Sequence, residues 1–373
     1  MKIAILKEMI SGEVRVAATP ETIKKSVALG HSVVVEKSAG LAAGYIDADY
    51  EAAGASIATT AKKTVAGADV LLKVRGPSDK ETAALPEGLT IIALMDPFAL
   101  DPAALNSRKI NALSMEFTPR ITRAQSMDAL SSQSNLAGYR AVIEGATLYG
   151  RALPMMMTAA GTVAPAKVFV MGAGVAGLQA IATARRLGGV VTATDVRPAA
   201  KEQVASLGAK FIAVEDEEFK AAETAGGYAK QMSPEYQQKQ AELVANHIAK
   251  QDIVITTALI PGRPAPVLVT PEMVEAMRVG SVVVDMAVAQ GGNCPLSEAD
   301  KTVEHNGVKV VGFTNLPAHL PADASALYAK NLLAFLPLIT SEDGGLNLDT
   351  DDEIVVAMTL TRDGKTVNER LSS

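Results

Sequence analysis

The stretch Val168-Phe169-Val170-Met171-Gly172-Ala173-Gly174-Val175-Ala176-Gly177 decides the fold of this chain. Its four apolar residues indicate a buried strand, and its glycines lead directly into an apolar segment, Leu178 to Leu187, that is typical of a helix. The first glycine allows a tight turn, the second lets the backbone approach a pyrophosphate, and the third permits close packing of helix on strand. We therefore expect a dinucleotide to bind at Gly172, Gly174, Val175, Ala176 and Gly177.

A second predicted strand, Val190 to Thr194, leads to Asp195, which lies 18 residues beyond Gly177. A carboxylate at this point accepts hydrogen bonds from the adenosine ribose and repels a 2′-phosphate, which favours NAD(H) as the cofactor. The Arg197 guanidinium could bind that phosphate, so NADP(H) stays open as an alternative at this stage.

Strand and helix patterns alternate along the chain and predict an α/β fold with two Rossmann-like doubly wound parallel sheets. The first sheet is expected from Ile3 to Leu6, Ser32 to Val35, Val70 to Leu72, Thr90 to Leu94 and Ile110 to Leu113. The second is expected from Val168 to Met171, Val190 to Thr194, Lys210 to Val214, Ile253 to Thr257, Val282 to Asp285 and Val308 to Val311. Helix starts are predicted at Thr19-Pro20-Glu21, Ser233-Pro234-Glu235 and Thr270-Pro271-Glu272.

The C-terminal segment is too short for a third domain. A β-hairpin with a strand from Ile354 to Thr361 and a turn at Asp363-Gly364 is predicted to close the chain. We expect this segment to pack onto the first domain, which is then discontinuous. The predicted domains are residues 1–131 plus 320–373 for the first and residues 132–319 for the NAD(H)-binding Rossmann domain.

Composition excludes several classes of protein. The net charge is −6 and the basic residues are dispersed, so no nucleic-acid partner is expected. A single cysteine, Cys294, cannot form an internal disulfide, and no Cys/His set predicts a metal site. Neither a secretory signal nor a membrane span is predicted, so we expect a cytoplasmic protein. Cys294 and Met155-Met156-Met157 are interpreted as packing residues.

Two further segments are candidates for binding. In the polar stretch Pro119 to Asn135, the residues Gln125, Asp128 and Ser131 are spaced three apart, which on a helical turn places them on nearly one face. The Gln125 amide offers the donor and acceptor that a nicotinamide carboxamide needs, and Arg120 could anchor this polar neighbourhood. Alternatively, the stretch is a solvated helix start. The loop Ala222 to Ala229, with two glycines and Tyr228, could close over a nucleotide or be a plain surface loop.

Several of these segments together resemble domain I of the proton-translocating NAD(P) transhydrogenase, over nearly the whole chain. The resemblance is carried by Arg120 to Asp128, Ser131 to Arg140, Gly172 to Gly177, Ala225 to Lys230, Thr256 to Gly262 and Gln290 to Pro295. It implies that Arg120, Gln125, Asp128 and Ser131 surround the nicotinamide end of NAD(H) and act in catalysis. It also implies nucleotide contacts at Asp195, Val196, Arg197, Gly227, Tyr228, Gln240 and Leu259.

Alanine dehydrogenase is related to this family and is the main alternative. Arg15 and Lys73 match positions where that enzyme holds a substrate carboxylate. However, Met95 stands where that enzyme has its catalytic histidine, and Ala289 stands where it has its active-site aspartate. Direct hydride transfer between two nicotinamide rings needs no such acid and base, so positioning alone would suffice. A non-catalytic NAD sensor, in which closure of the Tyr228 loop changes a docking surface, is a further alternative.

The resemblance also implies partners. It suggests a homodimer that docks on an NADP(H)-binding domain and on membrane proton-channel subunits, without a membrane span of its own. The chain would then be cytoplasmic and peripherally associated with the inner membrane through those subunits. Hydride would pass from NADH to NADP on the partner, coupled to proton translocation, and the chain alone would be inactive in this transfer.

Overall fold

The computed structural model describes residues 1–221 and 232–371. These residues form two compact units. Residues 1–133 and 317–373 make up the first, called unit 1 below, and residues 134–316 make up unit 2. Whether each unit is a domain that folds alone stays a prediction.

The described residues contain the following strands: β1 (Lys2–Ile5), β2 (Ser32–Glu36), β3 (Ser56–Ala58), β4 (Val70–Arg75), β5 (Thr90–Leu94), β6 (Asn111–Ser114), β7 (Met156–Thr158), β8 (Gly161–Val163), β9 (Lys167–Met171), β10 (Val190–Thr194), β11 (Lys210–Phe211), β12 (Ile253–Thr256), β13 (Val282–Asp285), β14 (Thr302–His305), β15 (Val308–Val311), β16 (Thr359–Arg362) and β17 (Lys365–Thr366).

The α-helices are α1 (Pro20–Ala28), α2 (Asp47–Ala52), α3 (Ala61–Thr64), α4 (Asp79–Ala84), α5 (Ala103–Ser107), α6 (Ala129–Tyr149), α7 (Val175–Arg186), α8 (Ala200–Ser206), α9 (Glu217–Lys220), α10 (Pro234–Ile248), α11 (Pro271–Glu275), α12 (Pro321–Phe335) and α13 (Glu353–Met358). Short 3₁₀ helices lie at Leu41–Ala43, Met115–Phe117, Thr122–Met127, Val288–Gln290, Leu316–His319, Leu336–Ile339 and Glu369–Leu371.

Unit 1 is built on an eight-stranded sheet in the order β17-β16-β6-β5-β4-β1-β2-β3. The strands from β6 to β3 are parallel, and β16 and β17 extend the sheet in antiparallel fashion. The central strand β5 is buried at every position, as expected for a parallel strand covered on both faces. From the C-terminal part of the chain, Tyr328, Leu332 and Phe335 of α12 pack in the core of unit 1.

Unit 2 is built on a seven-stranded sheet in the order β11-β10-β9-β12-β13-β15-β14. All neighbouring pairs are parallel except β14 with β15. The strand order reverses between β9 and β12, because β10 and β11 lie on one side of β9 and the later strands on the other. Ligands of open α/β sheets bind at such a point, beyond the carboxyl ends of the strands. The predicted fold class of two Rossmann-like parallel sheets is confirmed.

The three predicted helix starts are present. Thr19, Ser233 and Thr270 each accept a hydrogen bond at the side-chain oxygen from the backbone N–H three residues later. In each case proline occupies the first helical position. These starts depend on local chemistry alone, because the hydroxyl and the proline act within one turn of the helix.

The predicted C-terminal hairpin is present as β16 and β17, with Asp363 and Gly364 in the left-handed conformation that such a turn requires. Its first strand was predicted to begin at Ile354, which is wrong, because residues 353–358 form α13. The side chain of Asp352 accepts a hydrogen bond from the Ile354 N–H at 2.9 Å and thereby caps this helix.

Other strands are missing from the sequence prediction. The edge strand β3 is short and half-exposed, so it lacks the apolar pattern of the central strands. The strand β14 forms a hairpin with β15 through Asn306 and Gly307, both at positive φ. That Asn-Gly pair is a strong hairpin signal in the sequence and would have identified β14.

The methionine triplet lies at a second hairpin, formed by β7 and β8. Its side chains are exposed, up to 78% at Met157, so the packing interpretation of Met155-Met156-Met157 is wrong. Cys294, by contrast, is fully buried as predicted. Among the described residues, no helix combines the length and the apolar content needed to cross a membrane.

Candidate functional site

The turn between β9 and α7 has a shape that only glycine permits at two positions. Gly172 has a φ of +109°, and a Cβ on it would lie 2.4 Å from Thr257 Oγ1. A Cβ on Gly177 would lie only 1.8 Å from the carbonyl oxygen of Gly172. The first turn of α7 therefore packs directly against the end of β9.

Gly174 differs from the other two glycines. It is the N-cap of α7 and supplies no side chain to the free N–H groups of the first turn, and a Cβ built on it meets nothing within 4 Å. The helix N-terminus thus presents backbone donors, including those of Val175 and Ala176, toward open space. Such an end attracts anions, because its N–H groups are unpaired and the helix dipole is positive there.

Asp195 follows β10 and is bound by the neighbouring backbone and by one arginine. Its side chain is 7% exposed. The Ala173 N–H donates to Oδ2 at 2.7 Å, and the Arg197 N–H donates to Oδ1 at 2.8 Å. The Arg197 guanidinium also donates to both carboxylate oxygens, at 2.9 and 3.0 Å.

This pairing matters for both partners. The hydrogen bond and charge of Asp195 raise the pKa of Arg197, although partial burial opposes the shift. Arg197 Nη2 also donates to the Ala173 carbonyl at 3.2 Å. The acid and the base that the sequence set against each other for ribose and 2′-phosphate are therefore one ion pair beside the glycine turn, with Val196 between them 67% exposed.

Two other candidates in unit 2 have different surroundings. Gln240 on α10 uses its amide internally, accepting from the Val214 N–H at 2.8 Å and donating to Thr194 Oγ1 at 3.3 Å. Leu259 follows β12 and is 48% exposed. Gly227 and Tyr228 lie outside the described residues.

The polar segment of unit 1 is not one continuous helix, which corrects the expectation that Gln125, Asp128 and Ser131 share a face. A 3₁₀ helix ends at Met127, and α6 begins at Ala129. Asp128 between them has a non-helical ψ of 86°, and its carboxylate accepts from the Ser131 N–H at 2.8 Å and from Ser131 Oγ at 2.5 Å. Aspartate favours this capping role over a helix interior, which explains the break.

Arg120 and Gln125 are exposed on this segment. Within unit 1 as described, neither side chain makes a hydrogen bond or an ion pair. Asp128 and Ser131, in contrast, use their side chains on each other. The structure therefore presents two free polar groups, a guanidinium and an amide, next to a rigid helix cap.

Comparison with known proteins identifies the family. The family model "Alanine dehydrogenase/PNT, N-terminal domain" matches residues 4–137, and "Alanine dehydrogenase/PNT, C-terminal domain" matches residues 141–369. A Rhodospirillum rubrum protein named as an NAD(P) transhydrogenase alpha subunit is 57% identical over 380 residues, covering 100% of this chain and 99% of that protein. The chain belongs to the NAD(P) transhydrogenase alpha-subunit family.

Solved structures agree with this assignment. A transhydrogenase from Sinorhizobium meliloti has a TM-score of 0.90 at 56% identity, covering 98% of this chain and 100% of the other. An L-alanine dehydrogenase has a TM-score of 0.84 at 26% identity, covering 100% and 98%. The transhydrogenase family thus shares its fold with alanine dehydrogenase, while these transhydrogenase relatives are more similar to the chain in sequence.

In this transhydrogenase-family chain, Arg15 is buried and fully engaged. Its guanidinium donates to both carboxylate oxygens of Glu13, at 2.7 and 2.6 Å, and to Gln133 Oε1 at 2.7 Å. Burial alone would raise the pKa of Glu13, but hydrogen bonds and the charge of Arg15 outweigh burial and lower it. The sequence analysis missed Glu13 as the partner, although the spacing Glu13-Val14-Arg15 was visible.

Lys73 is also buried, 1% exposed, and donates to Glu81 Oε1 at 2.9 Å. Its ammonium lies 3.5 Å from Glu8 Oε2, a buried oxygen without a hydrogen-bond partner within the described residues. Burial raises the pKa of Glu8 despite the nearby Lys73 charge. Glu8, Glu13 and Arg15 line a cavity of about 210 Å³ in unit 1.

The two positions at which the transhydrogenase family departs from alanine dehydrogenase carry no acid or base here. Met95 follows β5 and is buried, and its backbone N–H donates to Glu116 Oε2 at 3.0 Å. Ala289 is exposed in the short 3₁₀ helix after β13. Neither side chain can transfer a proton.

Proposed function

We propose that the chain is the NAD(H)-binding component of a proton-translocating NAD(P) transhydrogenase. The observation that carries the proposal is the open N-terminus of α7 at Gly174, where a Cβ would meet nothing within 4 Å and the first-turn N–H groups have no side-chain cap. This space fits a pyrophosphate, and the names of the relatives supply the reaction. The residues proposed to bind the nucleotide in unit 2 are Gly172, Gly174, Val175, Ala176, Gly177, Asp195, Val196, Arg197 and Leu259, with Gln240, Gly227 and Tyr228 by resemblance alone.

In unit 1 we propose that Arg120 and Gln125 bind the nicotinamide end. Gln125 offers the donor and the acceptor that match a carboxamide, and its side chain is not committed elsewhere within the unit. Asp128 and Ser131 act on this segment by holding the start of α6 rigid, since they bond each other. When bound, NADH supplies the hydride, and the chain's task is alignment.

The absence of an acid and a base at Met95 and Ala289 supports direct hydride transfer, because no hydroxyl or amine proton has to move. The acceptor is proposed to be NADP(H) on a partner subunit. The resemblance further supports a homodimer, a membrane proton-channel partner and peripheral association with the inner membrane on the cytoplasmic side. Coupling to proton translocation would then arise in the assembled complex.

The direct test is reconstitution with a purified NADP(H)-binding domain. The chain alone should bind NADH and show no transfer to an NADP analogue, and activity should appear when the partner domain is added. Oxidation of NADH by the chain alone with pyruvate and ammonia would instead indicate an alanine dehydrogenase. NADH binding with no transfer in the reconstituted system would favour an NAD sensor.

Replacing Gln125 with asparagine should leave NADH affinity nearly unchanged but slow reconstituted hydride transfer about 10- to 100-fold, because a shortened amide no longer aligns the ring. Stopped-flow absorbance with the partner domain measures the rate, and fluorescence titration measures the affinity. Gln238→Asn on the exposed face of α10 is the matched control. A Gln125→Asn rate equal to wild type would contradict a positioning role.

Replacing Asp195 with alanine should weaken NADH binding about tenfold or more, because the ribose loses its carboxylate acceptor. NADPH binding should strengthen, since Arg197 is released from its ion pair and can bind the 2′-phosphate. Binding constants for both nucleotides give the selectivity ratio. Glu215→Ala, which breaks the exposed pair with Lys201, should leave that ratio unchanged. If Asp195→Ala also keeps the wild-type ratio, Asp195 does not select the cofactor.

A further inference from the structure

The loop after β12 is held by a single buried asparagine. Residues 258–268, called the β12 loop below, begin with Ala258 and carry the half-exposed side chains of Leu259 and Ile260. Asn293 accepts from the Ala258 N–H at 3.1 Å and donates to the Ala258 carbonyl at 2.9 Å. It also donates to the Pro266 carbonyl at 2.7 Å, so one amide holds both ends of the loop.

The backbone of the same segment adds to this attachment. The Asn293 carbonyl accepts from the N–H groups of Leu268, at 2.8 Å, and Val269, at 3.0 Å. The Gln290 carbonyl accepts from Ala265 at 2.8 Å. Because Asn293 is fully buried, these bonds are shielded from competition with water.

Asp285, at the end of β13, fixes the position of Asn293 in turn. It is fully buried, and its Oδ2 accepts from the Cys294 N–H at 3.0 Å and from Ser297 Oγ at 2.6 Å. Its Oδ1 accepts from the Ala287 N–H at 2.9 Å. Gly292 has a φ of +82°, and a Cβ there would lie 2.7 Å from Asp285 Oδ2, so the turn before Asn293 packs closely on this carboxylate.

A buried carboxylate and a buried amide are costly unless every polar atom is bonded. Here the bonds join two loops at the carboxyl edge of the sheet. The β12 loop is also tied to the glycine turn, because Thr257 Oγ1 donates to the Gly172 carbonyl at 3.2 Å. The network therefore sets the position of Leu259 and Ile260 relative to the proposed pyrophosphate site.

We propose that Asn293 is a positioning residue for NAD(H), held in place by Asp285, and that it presents the β12 loop to the nicotinamide half of the nucleotide. A dinucleotide crosses the sheet where the strand order reverses, here between β9 and β12. Asp195 assigns the adenosine half to the β10 side, so the nicotinamide nucleotide extends toward β12. This inference rests on the proposed function.

The test compares NADH with ADP, which lacks the nicotinamide half. Asn293→Ala should bind NADH about tenfold more weakly than wild type, because the loop loses three hydrogen bonds, while ADP affinity stays within about twofold. Isothermal titration calorimetry measures both. Ser281→Ala is the matched control, since it removes a buried hydrogen bond to Gln251 at the opposite end of β13 and should change neither affinity.

Equal weakening of NADH and ADP by Asn293→Ala, or no weakening at all, would overturn the inference. Failure of the wild-type chain to bind NADH would instead overturn the proposed function. If Asn293→Ala does not fold, hydrogen exchange of the wild-type chain decides. Slow exchange of the Ala258, Leu268 and Val269 amides without nucleotide supports a loop arranged in advance, and fast exchange that slows only with NADH contradicts it.

Discussion

Replacing Gly177 with alanine should abolish NADH binding and lower the thermal unfolding temperature by several degrees. A Cβ at this position would lie 1.8 Å from the Gly172 carbonyl oxygen, a backbone atom that no rotamer change can move. Helix α7 must therefore shift away from β9, and overpacking of this kind costs about 1–3 kcal/mol or more. The same shift displaces the N–H groups that are proposed to bind the pyrophosphate. Calorimetric unfolding and fluorescence titration with NADH measure the two effects.

Gly174→Ala is the informative companion variant. Its Cβ would point into open space, so the unfolding temperature should stay close to wild type, whereas the added methyl should obstruct the pyrophosphate and weaken NADH binding about tenfold or more. The two variants thus separate packing of the turn from access of the ligand. Gly177→Ala with wild-type NADH affinity would refute the assignment of this turn as the nucleotide site.

Replacing Glu13 with glutamine should destabilise the protein by about 3 kcal/mol, because Arg15 remains buried without its counter-charge. Both side chains of this pair are almost completely buried, 2% and 1% exposed. Chemical denaturation at neutral pH measures the loss. Glu21→Gln removes a carboxylate from an exposed pair with Lys25 and should have no measurable effect.

The Glu13 variant should also change the pH dependence of stability. The folded-state pKa of Glu13 lies below its ordinary value of 4.5, so its contribution is complete above that value and is lost as the pH falls through the folded pKa. Glu8 has the opposite sign, because its raised pKa favours the folded state at low pH and disfavours it as the pH rises. Stability of wild type should therefore fall more steeply below about pH 4.5 than that of Glu13→Gln. Parallel acid limbs for the two proteins would contradict a stabilising Glu13–Arg15 pair.

Much of the fold was predictable because it depends on local patterns. Central parallel strands such as β5 and β9 are continuous apolar runs, and the helix starts at Thr19, Ser233 and Thr270 are marked by a hydroxyl followed by proline. Edge elements were harder. The short β3 lacks an apolar face, and the predicted strand from Ile354 is the helix α13, because the Asp352 cap outweighed the strand pattern.

The candidate site was predictable only as a set of residues. Spacing pointed to Gln125, Asp128 and Ser131, but it could not show that Asp128 interrupts the helix and binds Ser131 itself. Asp195 was identified by its distance from Gly177. Its full engagement by Arg197 and the Ala173 N–H depends on the conformation of the chain after β10, which no spacing rule describes.

By itself, the sequence determined the two parallel sheets, the glycine turn and the departure at Met95 and Ala289, because each is written in neighbouring residues. Only the tertiary structure decided which charges are paired and which loops are held. Lys73 meets Glu8 across 65 positions of sequence, and Asn293 meets Ala258 across 35. The physical reason is that a buried polar group must find its partners in space, and folding selects those partners from anywhere along the chain.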